Sequence, residues 1–180
     1  LITNPSQAFS PSKMLGEFER AKIPVSTKTV YECLDYAEET LLMNKVHAYD
    51  IRGKRILSRN DKYYLTDLGL GQILNVNKKV QFGAYLENIV YNELIARGYD
   101  VYIGKIDKGE IDFVVDDFGE RFYIQVADIL ADDKVVEREF GAYKNVEDNF
   151  PKYVITMDKV DYSMDGIIHK NVIDWLLEDR

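Results

Sequence analysis

The sequence predicts an α+β protein in two parts, a helix-turn-helix with short strands over residues 1–80 and a mixed sheet flanked by helices over residues 81–180. Three observations predict it. Phe82, Tyr85, Leu86, Ile89, Val90 and Leu94 recur at helical spacing, so the run from Phe82 to Arg97 has one face to bury. Three β-rich runs follow it directly, separated by turn residues. Before residue 80, two stretches that open on serine or threonine caps lead into short β-rich runs. With 180 residues, 46% of them hydrophobic, the chain can bury a core in one domain or two small ones, and disorder is excluded as the main state.

In chain order, Asn4, Pro5 and Ser6 are turn formers, and the chain begins with Leu1, which suggests a piece of something longer. Ser10 or Ser12 caps a short helix through about Arg20, and the stretch Ile23 to Thr27 turns the chain into a second helix from about Ser26 to Glu39. Val30, Cys33, Leu34, Ala37 and Leu41 form its apolar face, which makes Cys33 a small buried hydrophobe. Residues 42–49, 54–57 and 62–65 are strand-like, so the first part reads as a truncated winged helix. The outward side of its second helix carries Glu32, Asp35 and Glu39, which disfavours insertion into a DNA groove. Lys28 and the wing residues Arg52, Lys54, Arg55 and Arg59 are the candidates for phosphate contact. Thr66 or Asp67 then caps a short linking helix, Leu68 to Leu74.

In the second part, Gly98 stops the long helix, and Asp100 to Lys105 pairs with Glu110 to Asp116 across the turn 107–109 as a hairpin. A turn at Asp117 to Gly119 leads to Arg121 to Ala127, where Phe122, Ile124 and Val126 face one way and Tyr123, Gln125 and Ala127 the other. Asp132 to Tyr143 is a helix, Pro151 to Met157 a strand and Gly166 to His169 a further strand. Val172 to Glu178 is a closing helix anchored by Trp175. Glu137 and Glu139 are candidates to join a site from their helix.

Helix, strand, strand, strand, with Glu87 on the helix, Asp112 on the second strand and Gln125 two before Ala127 on the third, resembles the PD-(D/E)xK nuclease superfamily and its restriction-endonuclease-like fold. That resemblance implies a catalytic and metal-binding set of Glu87, Asp112 and Gln125, with Mg²⁺ or Mn²⁺ as the ion. Such ions take oxygen ligands, and an ammonium two residues along the same strand face can act on water or phosphate. Here the pair that should be acid and lysine is Gln125 and Ala127. A degenerate set of this kind implies weak metal binding and little or no cleavage.

The order of Thr29-Val-Tyr31, Lys62 to Leu70, Gly83 to Val90, Glu110 to Phe113, Tyr123 to Val126 and Pro151 to Ile155 is similar, taken whole, to the uncharacterised C-terminal region of a bacterial and archaeal family of AAA+ ATPases. The resemblance implies a P-loop ATPase module upstream of Leu1, where ATP would bind. The chain itself has no GxxxxGK[ST] sequence and no nucleotide site. The expected function is a non-catalytic accessory module of that ATPase recognising nucleic acid or a partner protein, the alternative being a Mg²⁺-dependent DNA endonuclease.

Charge divides the chain. Residues 1–80 carry 12 Lys+Arg against 9 Asp+Glu, and residues 81–180 carry 11 against 22, so the second part repels phosphate unless a cation intervenes. A single cysteine, no signal peptide and no long apolar run favour the cytoplasm and exclude a membrane helix. His47 and His169 have no metal-spaced partners.

Overall fold

A computed structural model describes residues 11–58, 60–74, 82–107 and 109–178. The first part contains α1 (Pro11–Arg20), α2 (Thr27–Glu39), β1 (Met43–Val46), β2 (Ala48–Asp50), β3 (Arg55–Ile56), β4 (Lys62–Leu65) and α3 (Leu68–Leu74). The second contains α4 (Phe82–Ala96), β5 (Asp100–Ile106), β6 (Gly109–Asp117), β7 (Glu120–Val126) and α5 (Asp133–Gly141). A 3₁₀ turn at Ala142–Asn145, β8 (Lys152–Thr156), β9 (Ile167–Asn171) and α6 (Val172–Leu176) complete it. The result is a mixed α/β architecture whose larger sheet runs β3-β2-β5-β6-β7-β8-β9. The turn formers before Ser10, the caps expected from Ser10 and Ser12, and Arg59 lie outside the described residues and side chains.

Local signals account for the helix ends. Ser26 accepts a hydrogen bond from the Thr29 N–H at 3.1 Å, and Asp132 accepts one from the Val135 N–H at 2.9 Å, so each helix starts on a satisfied donor. Asp67 likewise accepts from the Gly69 N–H at 2.7 Å at the start of α3. Gly98, with φ +86°, turns the chain out of α4 in a conformation that costs a residue with a Cβ.

Alternation along the strands divides the large sheet between two cores. Phe113, Val115, Ile124 and Val126 pack under Leu86, Val90 and Leu94 of α4, with Trp175 of α6 at one end. On the other face Ile111, Val114, Tyr123 and Val154 pack under Phe140 and Tyr143. A small core of Met14, Val30, Leu34, Met43, Tyr63 and Leu65 holds α1, α2 and the β1–β4 hairpin together.

Two features depart from expectation. The strand-like stretch 42–49 breaks at His47: β1 pairs with β4, whereas β2 leaves that hairpin and runs parallel to β5, with β3 beyond it. The large sheet therefore takes its edge from the first part of the chain. Cys33 is exposed rather than buried, because α2 buries only Val30 and Leu34. That face is too narrow to cover a third residue per turn.

Gly104 on β5 leaves room for side chains of β6 and for Ile51. A Cβ there would lie 2.9 Å from Ile111 Cβ and Val114 Cγ2 and 3.0 Å from Ile51 Cδ1. Gly104→Ala is therefore expected to lower stability by about 1–3 kcal/mol through overpacking. The check is a fall in the urea midpoint at unchanged m-value, and an unchanged midpoint would refute it.

Candidate functional site

The backbone ladder between β6 and β7 has its last rung at Phe113 and Ile124. At the next position side chains replace it. The Asp112 N–H donates to Gln125 Oε1 at 3.2 Å, and the Val126 N–H donates to Asp112 Oδ2 at 2.8 Å. On the other edge of β6 the register moves from Tyr102↔Val114 to Gly104↔Ile111, two steps on β5 against three on β6. That places an extra residue at Asp112–Phe113. A bulge of this kind re-aims a side chain, and here it lets Asp112 approach charges on α4 while its neighbours stay in the two cores.

A lysine that the spacing of the nuclease-like motif does not anticipate occupies the centre. Lys62, the first residue of β4, is almost completely buried; its ammonium lies 3.1 Å from Glu87 Oε1 and 2.6 Å from Glu110 Oε1. Glu87 also accepts a hydrogen bond from the Tyr64 hydroxyl at 2.6 Å. Tyr64 is held in place by stacking on Tyr91, with ring centroids 4.3 Å apart. Lys105 pairs with the second oxygen of Glu110.

Docking of β4 on α4 makes this possible. The Asn88 amide accepts from the Leu65 N–H and donates to the Leu65 carbonyl, both at 2.9 Å, so it satisfies the free edge of β4 as a neighbouring strand would. Asn92 donates to the same carbonyl at 3.1 Å. Glu87, one residue before Asn88 on the helix, is thereby brought to Lys62.

Gln125 extends the network to α5. Its amide nitrogen donates to Glu139 Oε2 at 3.0 Å, and the other Glu139 oxygen is held by Arg138 at 2.6 Å. Beyond them opens a cleft of about 620 Å³ whose lining includes Glu110, Gln125, Glu139, Lys134, Arg138 and Lys144.

Burial is the first cause, and the Glu87 carboxylate the second, that hold the Asp112 carboxyl well above its usual range; Lys62 and the Val126 N–H pull the other way and lose. Burial also disfavours the Lys62 ammonium, but Glu87, Asp112 and Glu110 outweigh it and raise its pKa. For Glu110, burial is outweighed by Lys62 and Lys105, which keep it ionised below the usual range. Because Asp112 holds its proton more tightly folded than unfolded, its contribution to stability is present at low pH and lost as pH rises through the folded value. Asp112→Asn should therefore gain on the wild type in stability as pH rises above the ordinary aspartate value of about 4 towards neutrality. A difference that stays constant across urea titrations in that range would contradict the assignment.

Of the residues expected to share a site, Asp112 and Gln125 are directly hydrogen-bonded. Glu87 joins them through Lys62 and through its field at Asp112. Ala127 is buried at the end of β7. Three of the residues expected to contact phosphate lie beside an acid at the surface, Lys28 by Glu32 at 3.5 Å, Arg52 by Asp107 at 2.8 Å and Arg55 by Asp50 at 3.6 Å, while Lys54 is exposed. Lys62, Tyr64 and Glu110 were not anticipated as site residues. The one signal, for Lys62 and Tyr64 alone, is a lysine at the head of the otherwise apolar run Tyr63-Tyr-Leu65, and the structure buries all four residues. Glu139 joins the site as its helix position allowed.

Glu87 and Glu110 are bridged by the chain's own ammonium, and the Gln125 carbonyl accepts from a backbone N–H. Among the described residues no group of three or more His, Cys, Asp or Glu side chains is arranged to hold a metal. In this arrangement the residues do not fit Mg²⁺ or Mn²⁺. No helix among the described residues is long and apolar enough to cross a membrane.

An uncharacterised protein of Haemophilus influenzae is 36% identical over 179 residues, which are 99% of this chain and 44% of that protein. No family model matches the chain. No solved structure matches it either. The chain thus spans less than half the length of the curated relative it matches.

Proposed function

We propose that the chain is a non-catalytic accessory module of a longer protein of the AAA+ ATPase type, and that it works by docking a partner protein. In this reading residues 1–80 are a truncated winged helix, and residues 81–180 a PD-(D/E)xK-like fold whose centre is closed. The observation that carries it is the Lys62 ammonium between Glu87 and Glu110, which satisfies with the chain's own charge the helix carboxylate, Glu87, that a catalytic ion would need. A protein partner is favoured over DNA because Lys28, Arg52 and Arg55 are paired with acids, and residues 81–180 carry 22 Asp+Glu against 11 Lys+Arg. The ATPase assignment rests on the sequence resemblance and on the greater length of the relative.

The test is plasmid nicking with Mg²⁺ or Mn²⁺ by the chain and by the full-length protein with ATP. No cleavage above that of Asp112→Ala is expected. The loss of one electrostatic group commonly costs about a hundred- to a thousand-fold in rate, and Gln125 and Ala127 represent two such losses. Robust nicking that disappears in Asp112→Ala would overturn the reading.

That outcome would establish the second reading, a metal-dependent DNA endonuclease. One observation favours it: although Ala127 offers no ammonium, Lys62 brings one to the acidic cluster from β4. Lys62→Met separates the two, since an endonuclease using Lys62 loses its nicking whereas a closed centre has none to lose.

A further inference from the structure

The β6–β7 hairpin ends in a two-residue loop, Phe118 and Gly119, between the paired residues Asp117 and Glu120. Both loop residues have positive φ, +51° and +98°, as a type I′ turn requires. The first position of such a turn suits Asn, Asp or Gly, and a bulky side chain there is an outlier. Phe118 nevertheless occupies it, and at 101% relative exposure its ring gains no burial from the fold.

The rungs beside it are unfavourable in a second way. Asp117 faces Glu120 across the hairpin, and Asp100 of β5 faces Asp116 of β6. Like charges directly opposite each other destabilise a ladder. Arg121 answers one of them, pairing with Asp116 at 3.2 Å, but among the described residues no ion pair forms at Asp100, Asp117 or Glu120. The chain thus keeps an exposed aromatic ring at the hairpin tip, with Asp117 and Glu120 beside it and Asp100 next to them on β5, all three carboxylates outside any ion pair among the described residues.

We propose that this tip is the docking point for a partner protein that presents an apolar pocket rimmed by lysine or arginine. The ring fills the pocket, and the basic rim relieves the repulsion between the facing carboxylates. Charge complementarity selects the partner: the same carboxylates repel phosphate, so neither nucleic acid nor an anionic membrane surface fits. The proposal rests on the protein-docking part of the function proposed above and is independent of whether the Lys62 centre is catalytic.

The test places p-benzoylphenylalanine at position 118, and separately at Tyr36 on the exposed face of α2, in the full-length protein. Each is irradiated in cells and the cross-linked peptides are sequenced. The expected result is an adduct from position 118 whose peptide combines apolar residues with lysine or arginine. With that partner purified, Phe118→Asn and Asp117→Lys/Glu120→Lys should each weaken binding at least roughly tenfold. Phe118→Asn fits the turn, so its urea midpoint should not fall, which separates lost docking from lost folding. An adduct from Tyr36 with none from position 118 would overturn the tip while leaving protein docking intact. Adducts from neither position, or a position-118 peptide lacking basic residues, would also overturn it, the former taking the docking reading with it.

Discussion

Lys62→Met is expected to destabilise the protein by about 3–5 kcal/mol, the cost of removing one partner from a buried ion-paired group. The side chain is 6% exposed and bridges Glu87 and Glu110, so the variant leaves Glu87 without a cation and Glu110 with Lys105 alone, and Asp112 is close enough to feel the change. Methionine fills much of the lysine's volume, which confines the effect to charge. Urea unfolding at neutral pH measures it. Because the missing element is positive charge, millimolar Mn²⁺ should recover part of the loss in the variant and change the wild type little. A loss under about 1 kcal/mol would mean that solvent already shields the cluster, and the closed centre would have to be abandoned.

Asn88→Ala is expected to cost about 2–4 kcal/mol. Its amide meets both the N–H and the carbonyl of Leu65, and the residue is fully buried, so no water replaces it. An unsatisfied buried backbone group costs about 1–3 kcal/mol, and the loss is moderated at the carbonyl because Asn92 still donates to it. Hydrogen exchange provides a local check. The Leu65 amide should lose protection more than amides in the centre of β6, and equal loss at both would show that the effect is global rather than at the β4–α4 seam.

What could be read from the sequence was what short-range pattern controls. The helical spacing from Phe82 to Leu94, the turn at Gly98 and the alternation in β5 to β7 fix the site's scaffold, and Trp175 sits in the core where its size puts it. Glu87, Asp112 and Gln125 could be named because the resemblance to the nuclease superfamily picks out those positions on these elements. Lys62 could not. It reaches Glu87 across a sequence separation of 25, and only the seating of β4 against Asn88 brings it there. The division of residues 42–49 between two sheets was hidden for the same reason, since nothing within that stretch reports a partner as distant as β5. Cys33 is the converse case, since helical spacing alone places it on a face wider than the one α2 buries.

The parallel pairing of β2 with β5 sets Ala48 against Ile103 and Asp50 against Lys105, strands made some 55 residues apart. On a ribosome adding about 5–20 residues each second, that interval lasts several seconds. During it α1, α2 and the β1–β4 hairpin can gather around their own small core, but β2 and β3 have no sheet to join. Lys62 has no carboxylate to meet until Glu87 emerges, and its second partner, Glu110, comes later still. The order of synthesis thus leaves the amino-terminal part unfinished until the carboxy-terminal part supplies its missing neighbours, and folding must close backwards along the chain.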